Sequence, residues 1–331
     1  MLCCLSLQNV GLGVIAGFAV MLISHFVRRK SRPSLNGKHI LITGGSLGIG
    51  RSFAIEAAKR GANITLVARN MNNLQAAAAD VQKAVIGPDQ KVACLSMDLS
   101  GNFEEIQKNI KSAEEENGPI FMLVNCAGTS LCGKLEDLKD DDIKYVTHLN
   151  VLGTILPTKA VITGMKERGE GKVIVVASQA ALIGVYGFCG YSATKFAVRG
   201  FAEALRMEAK PYGVTVTLAL PPDTDTPGFA EEQKHKPEEC RLVSEEAGFS
   251  TPEVVATKML DDALDGKFYS TVGLECALAS YICAGFTPPF TALEAFLQFF
   301  SIGFLRLFAV YILDKMDRIV TDCKNKKEKQ K

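Results

Sequence analysis

The sequence predicts an α/β protein built on a single doubly wound parallel sheet of about seven strands, set between an N-terminal membrane anchor and apolar C-terminal helices. Three observations lead there. Short β-rich runs alternate with longer helical ones through most of the 331 residues. Most of those runs are continuously apolar rather than alternating, as strands covered on both faces must be. An apolar stretch lies towards each end of the chain.

Residues 10–27 contain no Asp, Glu, Lys or Arg and are followed by Arg28, Arg29, Lys30 and Arg32. Such a stretch is close to the lower limit for crossing a bilayer as a helix, about 20 residues. The positive charge follows the apolar run, and no small-residue cleavage site is present. Both argue for a retained anchor over a cleaved signal peptide. The positive-inside rule then places the basic cluster, and everything after it, in the cytoplasm. Residues 1–36 therefore read as anchor and basic linker.

Strands are expected at residues 39–42, 64–68, 92–97, 121–124, 173–177 and 215–220, with a weaker one at 268–272. Helical stretches fall between them, among them 51–60, 74–85 and 103–116. No repeat or low-complexity linker interrupts the alternation, so residues 37–273 form one Rossmann-like domain. Residues 274–331 complete the chain. The apolar run 274–286 is too short to cross a membrane as a helix, Pro288 and Pro289 break it, and 290–313 is apolar again. Glu294, Gln298 and Ser301 share one helical face, which predicts an amphipathic helix at a membrane interface. A hairpin crossing twice and a helix packed on the protein core are the other readings. The tail 324–331 is basic and polar, which predicts disorder and suits an anionic leaflet.

Composition excludes several classes. A net charge of +1 without a dense basic stripe argues against nucleic acid as a partner. Ten scattered cysteines show no C-x-x-C pair; Cys94, Cys126, Cys189 and Cys276 lie in apolar or packed runs and read as reduced core residues. His25, His39, His148 and His235 offer no ligand spacing, so no metal site is expected.

After the first strand comes Thr43-Gly44-Gly45-Ser46-Leu47-Gly48-Ile49-Gly50, then a helix. Glycines allow the tight turn and a close backbone approach to a pyrophosphate at the helix N-terminus. The tip of the second strand holds Ala68 and Arg69, where an NAD enzyme usually places an acid. The missing acid and the guanidinium predict NADPH, with Arg69 on the 2′-phosphate and Ser46 and Arg51 assisting. Asp98 ends the third strand, placed to accept from the adenine amino group, with Leu99 beside it in the same site. Asn125-Cys126-Ala127-Gly128, after the fourth strand, would hold the cofactor side of the cleft.

Tyr191-Ser192-Ala193-Thr194-Lys195 puts a phenol and an ammonium at i and i+4, on one helix face. A phenol is a poor acid–base group at neutrality, and a neighbouring ammonium favours its ionised form. Ser178, upstream at the end of the fifth strand, can polarise a carbonyl while Tyr191 supplies the proton.

In this chain order, T-G-G-x-x-G-x-G, N-x-A-G, Ser and Y-x-x-x-K resemble the short-chain dehydrogenase/reductase family over about residues 38–272. The resemblance implies that Asn150 takes the fourth catalytic position, supporting a water relay to the lysine. It also implies that Lys195 binds the nicotinamide ribose and that Thr226 lies near the carboxamide and phosphates. Cys126 replaces an asparagine of the usual N-N-A-G, and Pro222 a glycine after the sixth strand.

The run from Pro221 to Glu232, P-P-D-T-D-T-P-G-F-A-E-E, is more specific. With Ser178-Gln179-Ala180-Ala181 and the apolar ends, it resembles the branch of the family that reduces a long-chain sphingoid-base ketone with NADPH on the cytosolic face of the endoplasmic reticulum. That resemblance implies a sphingoid ketone and membrane lipids as partners, and it leaves homo-oligomerisation open. Residues 226–249 would be a flap over the nicotinamide, and Asp223 or Asp225 would attract the substrate ammonium or else cap the following turn. The alternatives are a membrane steroid or retinoid dehydrogenase of the same fold, and a non-catalytic membrane scaffold.

Overall fold

Continuous runs of Val, Ile and Leu form strands only where both faces find apolar cover. In the computed structural model, which describes residues 32–244, 249–285 and 289–329, they do. The predicted anchor, residues 10–27, lies outside the described residues. Seven strands are β1 (His39–Thr43), β2 (Asn63–Ala68), β3 (Val92–Ser96), β4 (Ile120–Asn125), β5 (Gly171–Val176), β6 (Val214–Leu220) and β9 (Tyr269–Thr271). They pair in parallel in the order β3-β2-β1-β4-β5-β6-β9. Alternate residues feed two separate cores. Ile40, Ile42, Leu66, Val124 and Ile174 face one side; Leu41, Val67, Leu123, Val173 and Leu218 face the other.

The first core is closed by α1 (Gly48–Ala58), α2 (Met71–Gln82) and α9 (Pro252–Asp265), through residues such as Phe53, Leu74 and Met259. Phe53 is fully buried, and cutting such a ring to alanine costs about 3–5 kcal/mol. The second core is closed by α3 (Phe103–Asn117), α5 (Gly153–Arg168) and α6 (Cys189–Ala209), through Ile106, Ile110, Val161 and Val198. Asn70 and Asn102 cap α2 and α3, accepting from Asn73 N and Glu105 N. Strand order reverses between β1 and β4, and such a switch point opens a crevice at the C-terminal strand ends.

Three features depart from the expectations. A short parallel ribbon joins β7 (Asp223–Thr224) to β8 (Phe249–Ser250). It brackets a flap containing α7 (Pro227–His235) and α8 (Glu238–Ser244). Cys276 is buried and Cys94 and Cys126 half-buried, but Cys189 is exposed at the start of α6.

The largest departure is at the C-terminus. After α10 (Leu274–Ile282), a single helix α11 runs from Ala292 to Lys329. The face of Glu294, Gln298 and Ser301 is polar only in the first turns, and it continues through Leu305, Ala309, Ile312 and Met316 as a half-buried stripe. Beyond those turns Phe299, Phe300, Phe304, Leu307, Val310 and Tyr311 are exposed along one broad face, opposite that stripe. By length and composition the helix is apolar enough to cross a membrane, and its one-sided exposure also suits the expected interfacial helix. Nothing in its most apolar stretch is buried, which removes the core-helix reading. Residues 292–313 reach about 30 Å as a helix, the thickness of a bilayer core. The expected disordered tail is instead helical as far as Lys329, because it has somewhere to pack. Lys327 Nζ lies 2.7 Å from Glu239 Oε1 on α8, and Cys323 is buried nearby.

Candidate active site

The crevice at the switch point is a cavity of about 550 Å³. Its floor is the turn after β1, where Gly44, Ser46, Gly48 and Ile49 line the space. Gly48 has φ +52°, and a Cβ there would lie 2.9 Å from the Thr226 methyl. Gly50 is constrained differently: its Cβ would meet the Gly44 carbonyl oxygen at 2.3 Å, so it serves the packing of the turn instead of lining the cavity. Helix α1 begins at Gly48 with no side-chain cap and no acid in its first turn. Its free N–H groups and positive dipole end fit an anionic group such as a pyrophosphate. Thr226 packs on this turn, while its own Oγ1 accepts from Phe229 N and starts α7.

Arg69, Asp98 and Leu99 close one end. The Arg69 guanidinium stacks 5.7 Å above the Tyr145 ring, which holds it without neutralising it. Asp98 Oδ1 accepts from Ser100 N at 2.9 Å and Ser100 Oγ at 2.7 Å. These bonds, with Arg69 beyond them, hold its carboxyl below the ordinary range. Arg51, expected as a helper, is paired with Asp80 on α2 and does not line the cavity. Asn125 lies beneath the wall rather than in it, donating to Thr158 Oγ1 at 2.9 Å. The loop after it is fastened by Thr43, whose hydroxyl accepts from Cys126 N and Ala127 N, both at 3.1 Å. Sequence reasoning had given Thr43 no role.

Ser178, Tyr191 and Lys195 meet at the centre of the cavity. Ser178 follows β5 and its hydroxyl hydrogen-bonds the Tyr191 phenol. Lys195 Nζ donates to Val176 O at 3.2 Å and sits 5.4 Å from the Tyr191 ring centroid. Asn150 is buried one layer behind. It lies in a π-turn, His148–Leu152, between α4 (Asp140–Thr147) and α5. Its side chain donates to Thr129 O (2.9 Å) and Thr194 Oγ1 (3.0 Å) and accepts from Thr129 N (2.9 Å). It thus ties the loop after β4 to the helix turn between Tyr191 and Lys195.

The electrostatics correct one expectation. Burial pushes the Tyr191 phenol up, Ser178 opposes this, and Glu232 and Asp223 add to it. The expected lowering by Lys195 does not govern, because burial also pushes that ammonium down, to about 8. The result is a protonated phenol beside a readily discharged cation, which is an acid poised to give up a proton at a carbonyl oxygen.

The flap supplies the remaining wall. Asp223 and Glu232 line the cavity, whereas Asp225 is exposed and does not. Lys236 lies between the two acids, 3.6 Å from Asp223 Oδ2 and 3.3 Å from Glu232 Oε1. Val243 and Ser244 of α8, and Met316 of α11, complete the edge. Glu232, Lys236 and Met316 were not anticipated. Their roles depend on contacts between distant segments, and no local spacing announces them.

A seven-stranded parallel sheet with a glycine turn at its switch point and a Ser–Tyr–Lys centre defines a nucleotide-dependent oxidoreductase. The chain belongs to the short chain dehydrogenase family, whose model matches residues 38–237. It is 45% identical over 323 residues to a Danio rerio 3-dehydrosphinganine reductase, covering 96% of this chain and 97% of the relative. It is 46% identical over 296 residues to a Mus musculus 3-ketodihydrosphingosine reductase, with 89% of each covered. An Arabidopsis thaliana 3-dehydrosphinganine reductase is 35% identical over 286 residues, covering 86% and 85%. Among solved structures, levodione reductase superposes with a TM-score of 0.66 at 25% identity, covering 73% of this chain and 99% of that one. A Burkholderia phymatum short chain dehydrogenase/reductase in complex with NAD shares the fold, with a TM-score of 0.64 at 24% identity, covering 72% and 90%.

Proposed function

We propose that this protein reduces 3-oxosphinganine to sphinganine with NADPH at the endoplasmic reticulum membrane, its catalytic domain facing the cytosol. The observation that carries this reading is the position of the reaction centre. Tyr191, Ser178 and Lys195 lie in a cavity edged by Met316, on the same helix whose preceding turns are apolar and exposed. A ketone whose hydrocarbon chain is buried in a bilayer, at roughly 0.8 kcal/mol per methylene, can reach this cavity without entering water. The names of the relatives support the same substrate.

The geometry supports the following division of labour. Ser178 and Tyr191 hold the carbonyl oxygen, and Tyr191 gives it a proton. Lys195 keeps positive charge beside the phenol that loses the proton. Asn150 fixes the helix turn carrying both. Gly44, Ser46, Gly48, Ile49, Asp98, Leu99 and Thr226, together with Tyr191 and Lys195, would hold the dinucleotide. Gly50 and Asn125 would support it from behind, and Arg69 would bind a 2′-phosphate. A bound NADPH would supply the hydride for the carbonyl carbon. Residues 37–273 form the catalytic domain in this reading, with 1–36 and 274–331 as its membrane attachments.

A steroid or retinoid dehydrogenase would share the centre, and a scaffold would not need it. The test follows NADPH oxidation in detergent micelles with 3-oxosphinganine and with oxidised steroids. Turnover is expected on the first and not the second, with NADPH preferred to NADH until Arg69→Ala removes the preference. Tyr191→Phe is expected to lower turnover by roughly 10²–10⁴. Activity on steroids alone, or full activity of Tyr191→Phe, overturns the reading.

A further inference from the structure

The substrate wall holds two acids and one base. Asp223 and Glu232 carry two negative charges against the single charge of Lys236, whose side chain is 1% exposed. Lys236 is held over the rings of Phe188 and Phe229, at 5.5 and 5.6 Å, as well as between the acids. It is therefore fixed in place, and the trio sets two acids against one base. Burial raises both carboxyls, as expected where one cation serves two acids. Glu232 Oε1 is buried 3.3 Å from Lys236 Nζ and, among the described residues, no well-aligned donor reaches that atom, although the carboxyl is also supported by Ser130. Both acids are near enough to act electrostatically on the Tyr191 phenol. Phe188, which carries Lys236, packs 5.5 Å from the Tyr191 ring.

We propose that Glu232, with Asp223, forms an ammonium subsite beside the reaction centre that selects ketones bearing a protonated amine on the carbon next to the carbonyl. The proposal rests on the functional reading above and assigns which part of the substrate the flap recognises. A 2-amino-3-ketone whose oxygen lies at Tyr191 carries its ammonium three bonds from that oxygen, on the carbon next to the carbonyl. That charge sets a second cation against the two acids and gives Glu232 Oε1 a donor. Asp223 arrives from the β7 ribbon and Glu232 from α7, so the subsite forms only when the flap is folded over the cavity. The interaction is with charge present in both ground and transition states, so it acts on KM more than on kcat.

The experiment compares 3-oxosphinganine with its N-acetylated counterpart, which keeps the chain, ketone and hydroxyl but lacks the charge. On the native protein, KM for the acetylated ketone is expected to be at least about tenfold higher. Glu232→Gln is expected to raise KM for the free amine about tenfold, leave kcat within a few-fold, and leave the acetylated ketone unaffected. NADPH binding, read by fluorescence, serves as the folding check. Equal KM values on the native protein overturn the subsite, as does a Glu232→Gln loss that falls equally on both ketones. The native comparison needs no variant, so a misfolded Glu232→Gln leaves the test intact. If the native protein reduces neither ketone, the functional reading falls with it, and that outcome is distinct from equal use of both.

Discussion

Lys195 is the residue where burial and function conflict most directly. The side chain is enclosed, and burial favours the neutral amine, so it gives up its proton near pH 8 instead of near 10.5. The sign is clear: the charged form is present below about 8 and is lost as pH rises through it. If that charge supports proton delivery, kcat/KM, which reports the free enzyme, should fall along an alkaline limb centred near pH 8. A profile flat to pH 9.5 would contradict the role given to Lys195. At this scale the chemistry was largely legible from spacing: a helix puts i and i+4 on one face, so Tyr191 and Lys195 had to be neighbours. Direction of the phenol shift was not legible, because desolvation is set by what surrounds a ring. Nor was Glu232, whose partner Lys236 is local but whose relation to Tyr191 is not.

Elements extend the same contrast. Parallel strands announce themselves, since two apolar faces leave a run of Val, Ile and Leu, and six of the seven were read in this way. The glycine turn was legible for a similar reason: Gly48 combines φ +52° with a 2.9 Å approach to Thr226. Gly48→Ala adds a methyl and about 1–2 kcal/mol of backbone strain. The Kd for NADPH is expected to rise roughly tenfold in a fluorescence titration, with the fold retained. An unchanged Kd would remove the turn from the cofactor site. The β7–β8 ribbon was missed because two-residue strands have no periodicity to read. Helix α11 extends through the lysine-rich end whose composition suggests a loose tail. Its real extent is set by packing against α8 and α10. Met316, just past the apolar stretch, tests that placement. Met316→Asp should raise KM for the long-chain ketone roughly tenfold and leave a short, water-soluble ketone unaffected.

Considered whole, the molecule is a Rossmann-like domain whose flap is tied to an apolar rod. Lys327 grips Glu239 on α8, the helix that also presents Val243 to the cavity, and Met316 touches the same space from α11. The rod meets the domain at the cavity's edge, through Met316, so in the proposed function reaction and lipid phase share a boundary. For the proposed membrane-held ketone the relevant substrate concentration is a surface density. Encounter becomes a search in two dimensions, and the rate follows the mole fraction of ketone among neighbouring amphiphiles, whatever the amount per litre. Adding inert detergent at constant bulk ketone should therefore slow turnover in proportion to the dilution of the surface. A rate indifferent to that dilution would mean that the ketone arrives through water. The cell could then govern flux by crowding or thinning a leaflet, with no change in the total amount of substrate.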